Sequence, residues 1–188
     1  GLTSFIKKLE DEELLPASQQ SEYVRTHPIT RNRIDALENR IEQSDFSGQN
    51  YKPEWIKAHN RMKSKLVAFI APEQVGWLFD DRDQSIEANY ARTIAAYRLN
   101  EEQKALDLAN TLIKAEPNNP YFHELKGQML VDYTRVKDAL PSYKKAVALD
   151  PDAALIRAAY AHALIESAGS NKQQYNDAIK NLKYSLQE

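Results

Sequence analysis

The residues best suited to chemistry are four histidines, His27, His59, His123 and His162. A zinc-peptidase helix of the HExxH type needs two histidines at i and i+4. That spacing puts both imidazoles on one helical face, with the glutamate as general base. His123-Glu124 begins the pattern, but Gly127 stands where the second histidine belongs. One imidazole cannot replace the three protein ligands of a catalytic zinc, so His123 reads as a packing residue. The chain has no cysteine, which excludes a thiol nucleophile, a disulfide scaffold and a Cys-ligated zinc. No GxSxG elbow, Walker loop or glycine-rich phosphate cradle occurs among its 5 glycines. The acidic run 10–13 lacks calcium-loop spacing and reads as a solvated surface. No convergent catalytic set can be assembled, so an enzyme in its own right is disfavoured.

Composition narrows the classes further. The 188 residues carry 25 Lys plus Arg against 27 Asp plus Glu, a formal charge of −2. That balance argues against a general nucleic-acid or anionic-membrane binder, which needs a basic surplus. The longest unbroken apolar run, 66–71, is far below the roughly 20 residues that span a bilayer. The length suits one domain or two small ones, with enough chain for a real core. The chain begins at Gly1 without a methionine, and is expected to be a cut or processed piece of a longer product.

The elements that would position any site are helical. Ile34, Leu37 and Ile41 form one stripe, in a helix capped by Thr30. Trp55, His59, Met62, Leu66 and Phe69 form a second stripe, in a helix over 53–71. On that stripe His59 is expected to be core or half-buried. Residues 44–51 read as a polar loop, and a short piece around 75–79 carries Trp77.

From about Ser85 the chain repeats. Pro117 and Pro151 are 34 residues apart, as are Ala105 and Ala139. A 34-residue period is that of the tetratricopeptide (TPR) helix–turn–helix unit. Counting from Pro120 as position 1, Gly127 falls at 8, Ala139 at 20, Tyr143 at 24, Ala146 at 27 and Pro151 at 32. Small residues at 8, 20 and 27 let paired helices approach, and the aromatic at 24 fills the space between units. His123 at position 4 departs from the large residue expected there. The first unit has a shortened turn at Leu99-Asn100-Glu101, and the third a turn at 167–175 about five residues too long. The predicted fold is all-α: N-terminal helices leading into a right-handed stack of about three TPR-like pairs. Its predicted segments are 1–51, 52–84 and 85–188, with units at about 85–119, 120–153 and 154–188.

Positions 2, 5, 9 and 12 of each first helix face the concave groove of such a stack. In the second unit they are Tyr121, Glu124, Gln128 and Val131. In the third they are Leu155, Ala158, His162 and Ile165. In the first, allowing for the short turn, they are Ala88, Ala91, Ala95 and Arg98. The set is small and apolar with few cations, which disfavours clamping of a peptide carboxylate and favours a protein client or another helix. The N-terminal helices of the same chain are the competing occupant.

Two stretches resemble one family. Tyr23-Val24-Arg25-Thr26-His27-Pro28, followed by Arg33-Ile34, resembles the THP…R segment ending the catalytic domain of BepA-like zinc metallopeptidases. These are bacterial periplasmic enzymes with a C-terminal TPR region. Glu116-Pro117-Asn118-Asn119-Pro120-Tyr121-Phe122-His123-Glu124-Leu125-Lys126-Gly127-Gln128 resembles the EPxNPYFHELKGQ start of their second repeat, and 149–157 its continuation. The resemblance implies that the HExxH helix precedes Gly1, and that this chain is the non-catalytic C-terminal portion of a zinc metalloendopeptidase. It implies no cofactor in this chain and zinc in the parent, with His27 as a gating zinc ligand there. It implies a periplasmic location. Its partners would be the protease domain of the same polypeptide and protein clients or outer-membrane assembly partners, without nucleic acid or a direct membrane span. The alternative is a free-standing TPR adaptor with no protease attached.

Overall fold

The computed structural model describes residues 31–46 and 50–186, together with Phe5, Lys8, 14–16 and 18–20. Among these, every regular element is a helix. The chain divides into two compact units, Gly1–Lys52 and Pro53–Glu188. In the first, helix α1 (Arg31–Glu42) buries Ile34 completely, while Leu37 is half-buried and Ile41 is exposed.

The second unit opens with α2 (Pro53–Ile70), a 3-10 turn at Pro72–Gln74 and the short α3 (Val75–Leu78). Three helix pairs follow: α4 (Ile86–Arg98) with α5 (Glu102–Ala115), α6 (Pro120–Asp132) with α7 (Val136–Leu149), and α8 (Ala154–Ser167) with α9 (Lys172–Ser185). Side-chain caps start several of them. Ser85 accepts from Ala88 N at 3.2 Å, Asn119 from Tyr121 N at 3.1 Å and Asn171 from Gln174 N at 3.2 Å. Pro120 sits in the first turn of α6, where its missing N–H costs nothing.

Each pair closes through one left-handed residue: Asn100, Thr134 and Gly169. In the first two turns the N–H three places past the last helical residue reaches back to close it. Glu101 N donates to Ala96 O at 2.8 Å, and Arg135 N to Leu130 O at 2.7 Å. These two turns are the same length, 99–101 and 133–135. The shortened first turn expected from sequence is therefore absent, and the 34-residue register runs unbroken from α4 to α7. The expected long third turn is also absent. It is only 168–171, and most of the inserted residues lengthen α9 at its start, so Ala178 still reaches the core. Adding about one helical turn keeps the same face inward.

The packing positions behave as their types dictate. A Cβ on Gly127 would stand 3.0 Å from three ring atoms of Tyr143, which is buried. Ala139 and Ala146 are fully buried. Position 4 works differently. His123 Nε2 donates to Pro117 O at 2.9 Å, and Arg157, one period later, donates to Pro151 O. One period earlier, Asn89 donates to Gln84 O at 3.1 Å. A polar side chain here ties each helix to the carbonyls of the loop before it, in place of a large apolar residue.

Candidate protein-binding groove

The groove side of the stack is built by α4, α6 and α8. On α6, Tyr121 is 55% exposed at one end, while Glu124 and Gln128 are half-buried. Val131 turns partly inward, against the cluster of Met129, Leu130 and Tyr143. On α8, Leu155 is 86% exposed and Ile165 is exposed, with Ala158 half-buried between them. His162 is exposed, and its Nδ1 lies 3.8 Å from a Glu166 carboxylate oxygen. The structure thus brings Tyr121, Glu124, Gln128, Leu155, Ala158, His162 and Ile165 onto adjacent helices. His27 lies outside the described residues.

The first unit needs a correction. Ala88, Ala91 and Ala95 are buried, and only Arg98 is exposed. With both turns equal in length, the groove register of α4 is Glu87, Tyr90, Ile94 and Tyr97. The one-residue offset came with the shortened turn, and without it Tyr97 stands one period before Val131. Of that true register, Tyr90 and Ile94 are themselves buried, because α2 lies across this part of the groove. Ala68 and Val75 pack in one cluster with Tyr90, Ala91, Ile94 and Ala95.

Helix α2 turns the face opposite to the one its apolar spacing suggests. Its buried residues are Ser64 and Ala68. Trp55, His59, Met62, Leu66 and Phe69 are all exposed, so His59 is not a core residue. Small residues let α2 lie close on α4, where Ala68 packs in one cluster with Ala91 and Ala95 as well as Tyr90 and Ile94. Phe69 is covered on one side by the Arg98 guanidinium, 4.7 Å from its ring centroid.

A charged clamp holds α2 in place. Arg61 donates to Glu116 through Nη1 at 2.9 Å and Nη2 at 3.0 Å, and Lys57 Nζ adds a bond at 3.3 Å. Asn119 Nδ2 donates to the same carboxylate at 2.8 Å. Burial alone would raise the Glu116 carboxyl; the Arg61, Asn119 and Lys57 donors outweigh it and hold the group at about 2. No sequence signal pointed to this clamp, because its partners are 55 residues apart and nothing in the stretch that Glu116 opens ties it to Arg61.

Between α2 and α6 lies a cavity of about 610 Å³. Ala58, Met62 and Lys65 line one side, and Tyr90, Tyr121 and Phe122 the other. Glu124 follows one turn after Tyr121. Burial pushes its carboxyl upward, offset in part by Lys65 across the gap. The carboxylate at the far end of α6, Asp132, accepts from Tyr97 Oη and from Gln128 Nε2 at 2.8 Å. Among the described residues no three His, Cys, Asp or Glu side chains converge to hold a metal ion. The described residues therefore do not fit a zinc site, and no zinc chemistry is derived from them. No described helix is long and apolar enough to cross a membrane.

Stacked helix pairs of this length, register and small-residue packing define a TPR-like, all-helical repeat fold. Solved structures agree. The chain is similar to MamA, with a TM-score of 0.54 at 15% identity, covering 85% of this chain and 94% of that one. A second MamA structure gives a TM-score of 0.53 at 16% identity, covering 98% and 90%. At that identity the likeness is one of fold. In sequence the chain is similar to the beta-barrel assembly-enhancing proteases of Escherichia coli K12 and Shigella flexneri, 23% identical over 153 residues. The match takes in 78% of this chain and 31% of each relative, so the chain spans about a third of their length. No family model matches.

Proposed function

We propose that this chain is the non-catalytic TPR module of a zinc-dependent metalloendopeptidase of the cell envelope, and that it docks on the protease domain and binds protein clients or partners in its groove. The observation that carries the binding role is the groove face of α6 and α8, where Tyr121, Leu155 and Ile165 lie exposed together. Large apolar side chains gathered on one face mark an interaction surface. The distant likeness to an assembly-enhancing protease and the His-Pro segment at His27 support the protease parent and the periplasmic location. Docking on the protease domain would use the outer face of α2 and α3, where Leu66, Ile70 and Trp77 are exposed. In the parent, His27 would approach the zinc as a gating ligand.

A photo-crosslinking amino acid at Leu155, compared with one at Lys144 on the exposed side of α7, tests the groove in cells. Discrete protein adducts from Leu155 alone are expected; equal or absent adducts at both sites refute the groove. Purified chain should not hydrolyse casein with or without zinc, and zinc-dependent cleavage by it would overturn the module reading.

A free-standing adaptor is the second reading. It is favoured by the MamA likeness, in which the fold seen here accounts for 94% of the matched chain. An HExxH helix encoded upstream in the same reading frame decides for the protease parent, and a start codon or stop just upstream decides for the adaptor.

A further inference from the structure

Helix α9 carries a face that its counterparts in the stack keep covered. Each second helix of a pair meets the first helix of the next unit through the same positions. Leu106 on α5 is 7% exposed, in one cluster with Met129 and Leu130 of α6. One period later, Leu140 on α7 packs against Ala161 and Leu164 of α8. Aligning Ala178 with Ala139, both fully buried, puts Tyr175 level with Val136, Ile179 with Leu140, Leu182 with Tyr143 and Leu186 with Val147. These four residues of α9 lie on one side of the helix. Ile179 is nevertheless 49% exposed and Leu186 85%. Among the described residues no helix covers them, although they continue the pattern of the two interfaces before them. The polar rim has a counterpart too. Where α6 meets α5, Asn110 Oδ1 accepts from Lys126 Nζ of α6 at 2.7 Å. Lys183 stands at the place of Asn110, with Lys180 about one turn before it. The polarity of the contact is thereby inverted: α9 brings the donor, so a facing helix must bring the acceptor. Both lysines are exposed, and neither makes a hydrogen bond or ion pair among the described residues. With Asn176, Ile179 and Tyr184 they line an open hollow of about 360 Å³.

We propose that the outer face of α9 docks an amphipathic helix of a partner protein, its apolar residues on Ile179, Leu182 and Leu186 and its glutamate or aspartate on Lys183 and Lys180. The guest lies as α6 lies on α5 and α8 on α7, and lengthens the stack by one helix supplied in trans. The apolar stripe supplies most of the affinity, and the lysines select the sign of the guest and speed its arrival. A basic helix is disfavoured, because its cations would meet two unpaired lysines. This edge is distinct from the groove of Tyr121 and Leu155, so either surface can fail its test without the other.

The test uses the whole chain and three fluorescein-labelled helical peptides. They share leucines at i, i+3, i+4 and i+7 and carry Glu, Gln or Lys beside that stripe. Binding is read by fluorescence anisotropy. The glutamate peptide should bind about threefold more tightly than the glutamine peptide, the scale of one exposed ion pair, and the lysine peptide most weakly. The differences should fade in about 0.5 M salt. Lys183→Glu should reverse the order, while Lys144→Glu, at the matching place on α7, should keep it. Leu186→Asp should weaken all three peptides by about tenfold. Ile179→Asp should do the same, with circular dichroism to show that both chains stay folded. An order that survives Lys183→Glu overturns the proposal. So do peptides that bind the folded Leu186→Asp and Ile179→Asp chains as tightly as wild type, or no binding by any peptide. Analytical ultracentrifugation of the chain alone tests the remaining occupant. A monomer is expected, and a dimer that Leu186→Asp dissolves would give the face to a second copy and overturn the partner helix.

Discussion

Replacing Arg61 by methionine tests the clamp that fixes α2 across the first helix pair. The variant keeps an apolar stem near Phe122 and removes the guanidinium, including both of its bonds to Glu116, at 2.9 and 3.0 Å. A hydrogen bond to a charged group contributes about 1.5–3 kcal/mol net. The side chains keep 24% and 22% of their exposure, so solvent screening places the pair near the low end of that range. The variant also removes the guanidinium that lies 3.7 Å from a buried Glu87 oxygen, which adds to the loss, while deleting the unpartnered, buried Arg61 Nε offsets part of it. The expected loss is about 2 kcal/mol, or about 6 °C in melting temperature for a unit of this size. The sign with pH is fixed by the Glu116 carboxyl, held at about 2 in the folded chain. Its stabilisation is complete above the ordinary glutamate range near 4.3 and is lost as pH falls through about 2. Wild-type and Arg61→Met stability curves should therefore converge near pH 2. Urea titrations of wild type, Arg61→Met, Glu116→Gln and the double variant give the coupling, expected to be at least about 1 kcal/mol. A coupling below about 0.3 kcal/mol, or a Glu116→Gln chain with the acid profile of wild type, refutes the clamp.

Four further substitutions each probe a single position. Gly127→Ala should lose about 1 kcal/mol, because the clash with the Tyr143 ring at 3.0 Å outweighs the gain in helix propensity. Gly76→Ala, with nothing within 4 Å of its Cβ, should be neutral or stabilising by up to about 1 kcal/mol in the same thermal melts. Thr134→Gly should stabilise by about 0.5–1 kcal/mol, since a β-branched residue at φ 61 is strained; an unchanged melting temperature would show that the second turn is not under strain. Glu124→Gln should raise stability at neutral pH. Its carboxyl is pushed upward, so the folded state favours the protonated form. The advantage should shrink as the pH is lowered and the wild-type carboxyl protonates, and a pH-independent difference would contradict this.

The repeat was legible in the sequence because its causes are local and periodic. Gly127, Ala139, Tyr143, Ala146 and Pro151 sit where close helix approach, an inter-unit ring and a helix stop require those types. The groove residues of α6 and α8 followed from the same counting. That counting failed at α4, where the spacing reads one residue short and shifts the groove set by one position. Backbone hydrogen bonding restores equal turns through Asn100 and Thr134.

What the sequence determined by itself was the series of helix pairs and their packing interfaces, since these repeat every 34 residues. Tertiary structure alone decided which face α2 turns inward. Its 18 residues carry both a large apolar stripe and a small-residue stripe. Hydrophobic periodicity ranks the first, but close packing on α4 buries the second, through Ser64 and Ala68. It also alone decided that Arg61 meets Glu116, because a contact across 55 residues depends on where two helices end in space. Glu124 is drawn out of water for the same reason: neighbouring elements, rather than its position in the repeat, determine how much solvent reaches it.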